Sequence, residues 1–167
     1  MKITTILFVC TGNTCRSSMA EALAKQILTE KGAGHRIEVI SAGTAAWEGI
    51  SATPEAVEAM KARGIDLSRH QAQQLTAQTV EEADLVLTMT QRHKAYVQGI
   101  APCGSCPIYT VKEYVAGGKG KPDDLCTATG FDITDPFGQG LEVYDSCADE
   151  LEYNIGKALE RFLEELE

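Results

Sequence analysis

Short unbroken apolar runs alternate along this chain with longer stretches in which apolar residues recur at helical spacing. Residues 3–9 (ITTILFV) are β-branched and apolar between polar flanks, the pattern of a buried strand. From Ser17 to about Glu30 the period changes. Met19, Ala20, Leu23, Ala24, Ile27 and Leu28 mark one side of a helix that Gly32 and Gly34 end. Residues 36–40 predict a second strand, running into a loop at SAGTAAWEG. Thr53 is a cap with Pro54 at the first helical position, and the helix it opens runs through Val57 and Met60 to Gly64. A polar segment, LSRHQAQQLT, precedes a short helix after Thr76. Residues 83–89 (ADLVLTM) predict a third strand, followed by a helix through His93 and Val97. Residues 106–109 (CPIY) carry a weak signal for a fourth strand, and 116–131, rich in Gly, Lys and Asp, predict a loop. Leu141, Tyr144, Cys147, Leu151, Ile155, Ala158, Leu159, Phe162 and Leu166 then mark a long amphipathic C-terminal helix.

Strands alternating with helices imply an α/β fold with a small parallel sheet covered on both faces. In such sheets ligands sit at the carboxyl ends of the strands, and Cys10 stands where the first strand ends. Composition adds bounds. At 167 residues and 44% apolar content the chain suits one domain spanning 1–167. A net charge of -9 opposes a nucleic-acid partner. The apolar N-terminal run is far too short to span a membrane and has no cleavage site behind it, so a cytoplasmic protein without membrane attachment is expected. The six cysteines are then expected to be reduced thiols, each with its own role.

The chemistry concentrates in VCTGNTCRSS, residues 9–18. A loop turning from a strand into a helix exposes successive backbone N–H groups, and the helix adds partial positive charge, making a concave anion site. Gly12 removes a side chain where backbone approaches the ligand, and Asn13 tolerates a left-handed conformation. Arg16 can fold back to grip two oxygens of an oxyanion bidentately. The size suits one phosphoryl group, and the same field favours a thiolate at Cys10, with Ser17 placed to hydrogen-bond the sulfur. A nucleotide P-loop is a poor match, since the GxxxxGK[ST] spacing and its lysine are missing. Phosphoryl transfer through Cys10 also needs an acid for the leaving group and a base for water. Asp123, Asp124, Asp132 and Asp135 are the candidates. Asp135 stands out because Pro136 restrains it and Phe137 supplies an apolar wall, although Asp-Pro is also a common turn former.

Residues 10–17, CTGNTCRS, followed by MAEAL, resemble the phosphate loop of the low-molecular-weight protein tyrosine phosphatase family, and DITDPFG resembles that family's general-acid loop. SAGT, SRHQAQQLT, ADLVLTMT and VKEY are similar to further landmarks in the expected order, so the resemblance covers essentially the whole chain. It implies a three-layer α/β/α fold with a four-stranded parallel sheet, and no cofactor or metal. By the same resemblance Cys10 forms a cysteinyl-phosphate, Arg16 clamps the transition state and Asp135 acts as acid and then base. Thr11, Gly12, Asn13, Thr14, Cys15 and Ser17 complete the phosphate-binding loop, with Asn13 ordering it and Ser17 supporting the thiolate. The implied partners are phosphorylated protein side chains.

Two departures bear on the substrate. Thr14 stands where tyrosine phosphatases of this kind typically carry a bulky aliphatic residue, and Asp135-Pro136 is followed by Phe137-Gly138 rather than by tyrosines. Both resemble the bacterial protein-arginine phosphatase branch, so phosphoarginine is favoured over phosphotyrosine, with Thr14 and Phe137 as specificity residues. Ser18 stands where a proline is usual, which softens the helix start. An arsenate reductase of related fold would need a relay cysteine where this chain has Met89 and Thr90. Cys103 and Cys106 lie later and closer together. They read as ordinary loop thiols before half of a zinc site or a local disulfide. A non-catalytic phosphate-binding module is the remaining alternative, although pure binding needs neither Cys10 nor Asp135. Cys15 is a possible redox partner of Cys10. His35, His70 and His93 show no metal-ligand spacing; His70 is either a loop-orienting or a structural histidine, and Trp47 either borders the pocket or is ordinarily half-buried. Cys126 and Cys147 are expected to be structural.

Overall fold

The computed structural model describes residues 3–117 and 130–167. Four parallel strands form its sheet in the order β2-β1-β3-β4, with β1 at Thr4–Cys10, β2 at Ile37–Gly43, β3 at Leu85–Thr88 and β4 at Ile108–Thr110. The helices are α1 (Arg16–Glu30), α2 (Pro54–Lys61), α3 (Ala77–Glu82), α4 (Gln91–Ile100), α5 (Val111–Val115) and α6 (Leu141–Glu165). In this order the crossover leaving β1 runs to β2 on one side and the one leaving its neighbour β3 runs to β4 on the other, so the two diverge at the carboxyl ends of β1 and β3 and open a crevice there.

The period-two alternation of β1 divides the core. Ile6, Phe8 and Cys10 face α1, α2, α5 and α6 through Met19, Leu23, Met60, Tyr114, Leu151 and Leu159. Leu7 and Val9 face the opposite layer with Val80, Val86 and Val97, carried by α3, β3 and α4. The result is the expected α/β/α sandwich. Thr53 caps α2 by accepting from Ala56 N, with Pro54 at the first position, and Thr76 and Thr90 cap α3 and α4 likewise.

Two elements differ from the sequence expectation. Ser41, Ala42 and Gly43 continue β2 instead of opening the SAGT loop, because they pair in register with Phe8, Val9 and Cys10. Small residues carry little strand signal of their own, and the neighbouring strand supplies what they lack. Residues 111–115 form a short helix, VKEYV, opened by a capping box in which Thr110 accepts from Glu113 N and Glu113 accepts from Thr110 N.

Candidate active site

The crossover from β1 to α1 folds around the Cys10 sulfur. Asn13 has φ of 56°, in the left-handed region, and this turns its backbone N–H toward Cys10 Sγ at 3.3 Å. Ser17 Oγ lies 2.8 Å from the same sulfur. The Asn13 side chain holds the turn from within: Nδ2 donates to Ser17 Oγ at 2.8 Å and to Ser41 Oγ at 2.9 Å, while Oδ1 accepts from Gln73 N at 3.0 Å. Ser41 in turn donates to Glu21 of α1. His70 Nε2 meets the Asn13 carbonyl at 2.6 Å, which places this histidine in loop support. Gly43 lets the loop lie flat on the end of β2: a Cβ there would sit 2.4 Å from Thr11 O and 3.0 Å from Asn13 N.

Arg16 is the first residue of α1 and is buried. Its Nη1 donates to the Ile133 carbonyl at 3.0 Å, and its Nη2 lies 3.4 Å from Asp135 Oδ2. Nε, also buried, has no partner among the described residues. A buried donor left unpaired costs roughly 1–3 kcal/mol, which an anion accepting from it would remove. Cys10, Thr11, Gly12, Thr14, Cys15, Arg16, Asp135 and Phe137 together line a cavity of about 220 Å³. Asp135 is half-exposed at its mouth and oriented by Phe137 N, which donates to Oδ1 at 3.1 Å. The arrangement presents a thiol sulfur, the inward-turned Asn13 amide, one guanidinium and one carboxyl around a space the size of a phosphoryl group and the start of its substituent.

Residues 5–167 match the family model described as low molecular weight phosphotyrosine protein phosphatase. The chain belongs to this family. The protein-arginine-phosphatase of Bacillus subtilis (strain 168) is 43% identical over 147 residues, covering 88% of this chain and 89% of that protein. The solution structure of a low molecular weight protein tyrosine phosphatase from Bacillus subtilis superposes with a TM-score of 0.83 at 38% identity, covering 98% of this chain and 100% of that one. A YwlE arginine phosphatase whose active-site cysteine is replaced by a phosphorylated serine superposes with a TM-score of 0.78 at 38% identity, covering 95% of each chain. The chain is therefore a cysteine-dependent protein phosphatase.

Of the four aspartates weighed from sequence, the phosphatase fold brings only Asp135 to the cavity among the described residues. Asp132 Oδ1 instead accepts from Gln91 N and ties the loop that carries Asp135 to the start of α4. Asp123 and Asp124 lie outside the described residues, as does Cys126. Phe137 is 65% exposed, so the apolar wall it offers Asp135 is open to solvent. Trp47 is 77% exposed and does not line the cavity, which corrects the half-buried reading. Ser18 donates from its hydroxyl to the Cys15 carbonyl at 2.9 Å, closing the first helical turn in a way proline cannot. Cys15 is buried with its sulfur 3.2 Å from Tyr144 OH. Cys147 is buried on α6, and burial pushes its thiol up to about 12. Cys103 is exposed and Cys106 partly buried, next to Asp84 and Glu81 in a surface hollow. Met89, at the end of β3, is fully buried.

Three contributors were not singled out from sequence. Gly43, Ser41 and Gln73 reach the loop only through tertiary contact, and SAGT was the one local sign of the first two.

Proposed function

We propose that this chain, read as one domain, is a protein-arginine phosphatase working through a cysteinyl-phosphate. Cys10 Sγ attacks phosphorus, and the P–N bond breaks as Asp135 gives its proton to the departing guanidine nitrogen. Water then attacks the phosphocysteine while Asp135 takes a proton from it, releasing orthophosphate and the thiolate. Arg16 and the loop amides hold the equatorial oxygens as charge builds. Ser17, held by Asn13 Nδ2 and 2.8 Å from the sulfur, is oriented to donate its hydrogen to the thiolate in both half-reactions.

The observation that carries the substrate assignment is Thr14 lining the same small cavity as Cys10, Arg16 and Asp135. A threonine, smaller than a bulky aliphatic residue, puts a hydroxyl in the wall of that cavity, where an aliphatic residue would offer only an apolar face for a phenyl ring. The open Phe137 side leaves Asp135 free to accept N–H bonds from a planar guanidinium. The similar Bacillus subtilis protein-arginine-phosphatase supports the same reading. Phosphotyrosine is the second reading, supported by the family description and by the tyrosine phosphatase structure that superposes on the chain.

Parallel turnover of phosphoarginine and phosphotyrosine peptides by the wild type and by Thr14→Ile tests this. The wild type should prefer phosphoarginine, and the substitution should erode that preference by about tenfold, the scale of one or two methyl groups in a pocket. Equal or better phosphotyrosine turnover by the wild type would refute the assignment.

A further inference from the structure

We propose that His93 is a positioning residue of the phosphate loop, a neutral bridge from the start of α4 that sets Thr11 and with it the wall of the cavity beside Cys10. The inference rests on the phosphatase reading above and adds a residue to it. His93 is 5% exposed, in the first turn of α4, far in sequence from the loop. Its Nε2 lies 2.8 Å from Thr11 Oγ1 and its Nδ1 lies 3.0 Å from Thr90 Oγ1. Both ring nitrogens are thus engaged by hydroxyls, one in the loop and one in the cap of α4.

The count of hydrogens favours one arrangement. Thr90 Oγ1 already accepts from His93 N at 3.2 Å, so its own hydrogen is available for Nδ1. Nε2 then carries the ring hydrogen and donates it to Thr11 Oγ1, and the Thr11 hydroxyl keeps a hydrogen to direct elsewhere. Thr11 lines the cavity, and its carbonyl accepts from Ala45 N at 2.9 Å, so side chain and backbone are fixed from opposite sides. Burial first, and the Arg16 guanidinium second, hold the imidazole down at about 4, while Asp135 pushes the other way, so the neutral bridge persists at neutral pH.

The same α4 start also holds the other half of the site. Gln91 N donates to Asp132 at 2.8 Å, and the Met89 carbonyl accepts from Ile133 N, whose own carbonyl binds Arg16. The turn from β3 into α4 therefore sets the distance between the loop that binds phosphate and the loop that carries Asp135. His93 is its one side-chain strut to the former among the described residues.

Asn and Gln separate the two bonds of the ring. An asparagine amide reaches about as far as Nδ1 and keeps the Thr90 bond, whereas a glutamine amide reaches about as far as Nε2 and keeps the Thr11 bond. We expect His93→Asn and Thr11→Val each to lose about tenfold in kcat on p-nitrophenyl phosphate with KM within about twofold, the scale of one hydrogen bond acting in the transition state. Orthovanadate, which mimics the five-coordinate phosphorus, should bind both variants weaker by a similar factor. His93→Gln should retain most activity, and Thr11→Val combined with His93→Asn should lose no more than either alone. Wild-type kcat and vanadate affinity in His93→Asn, with only a lower melting temperature, would overturn the inference, as would multiplicative losses in the double variant. Failure of the wild type itself to turn over the ester or bind vanadate would instead sink the phosphatase reading.

Discussion

Gly43→Ala is the sharpest test of how tightly the phosphate loop is seated. Its new Cβ would lie 2.4 Å from Thr11 O, 2.9 Å from Ala46 Cβ and 3.0 Å from Asn13 N. Carbon and carbonyl oxygen need about 3.2 Å or more, so the loop must retreat by about 0.8 Å, given the tight packing of protein interiors. No flexible side-chain end absorbs this, because two of the three atoms are backbone and belong to the residues on either side of Gly12. Thr11 O is also bonded to Ala45 N, and Asn13 N to the Cys10 sulfur, so the shift passes directly to that sulfur and the inward-turned amide. Misplacing reacting groups by about 1 Å costs on the order of a hundredfold in rate, whereas overpacking at one site costs roughly 1–3 kcal/mol of stability. The expected outcome is a folded protein with kcat/KM on p-nitrophenyl phosphate lowered about a hundredfold. Circular dichroism and a melting curve would establish the fold, and steady-state kinetics the loss. A Gly43→Ala enzyme within about threefold of wild type would refute the seating described here, since no rearrangement of that small an effect can clear a 2.4 Å contact with backbone.

Gly99 in α4 and Gly156 in α6 would each bring a new Cβ into open space, so Gly99→Ala and Gly156→Ala should raise stability by about 0.5–1 kcal/mol apiece in urea titrations, through helix propensity and a less free unfolded chain. Peroxide should inactivate the wild type reversibly, with dithiothreitol restoring activity, because Cys10 and Cys15 line one cavity; Cys15→Ser should make the loss irreversible, and mass spectrometry would identify the Cys10–Cys15 bond. His93 is held down to about 4 by burial, so the native state binds fewer protons there than the unfolded chain between that value and about 6.5. Stability should accordingly be full above about pH 6.5 and fall as pH drops toward 4, by on the order of 2 kcal/mol from this group, and His93→Gln should flatten that part of the urea-derived pH profile.

Most of the framework could be read from the chain because each element carried its own signal. The run ITTILFV has strand composition and forms β1 from Thr4 on, and the period of α1 and α6 is written in Met19, Leu23, Leu151, Ile155 and Leu159. The Pro54 start of α2 needed only its cap residue. The end of β2 was not legible in the same way, since Ser41-Ala42-Gly43 has loop composition and becomes strand through pairing with Phe8, Val9 and Cys10. The α5 turn carried a usable sign, the Thr110-x-x-Glu113 box, within a segment too short for periodicity. In the site, Cys10 and Arg16 declare themselves because the loop that unites them is continuous. Asp135 stood out from Asp132 through Pro136 and Phe137, whereas the place of Asp132 shows only in three dimensions, where its carboxyl faces Gln91 N while that of Asp135 faces Arg16.

Arg16 explains why these two loops act as one site. Its guanidinium begins in the first residue of α1, donates to the Ile133 carbonyl at 3.0 Å and lies 3.4 Å from Asp135, so it is a strut between the loops before it is a ligand for phosphate. A lysine at this position would keep the charge but present one compact ammonium in place of a planar fork. Its three N–H donors all leave one nitrogen, so they could not span from the Ile133 carbonyl to Asp135 and also meet an oxyanion with the two parallel donors of a planar fork. The buried Nε, without a partner among the described residues, is what the fork leaves over for that purpose. The loop that carries Asp135 is therefore registered to the Cys10 loop by the same side chain that, in the proposed mechanism, binds the transferred group, and on that mechanism a shift of either loop changes binding and proton transfer together.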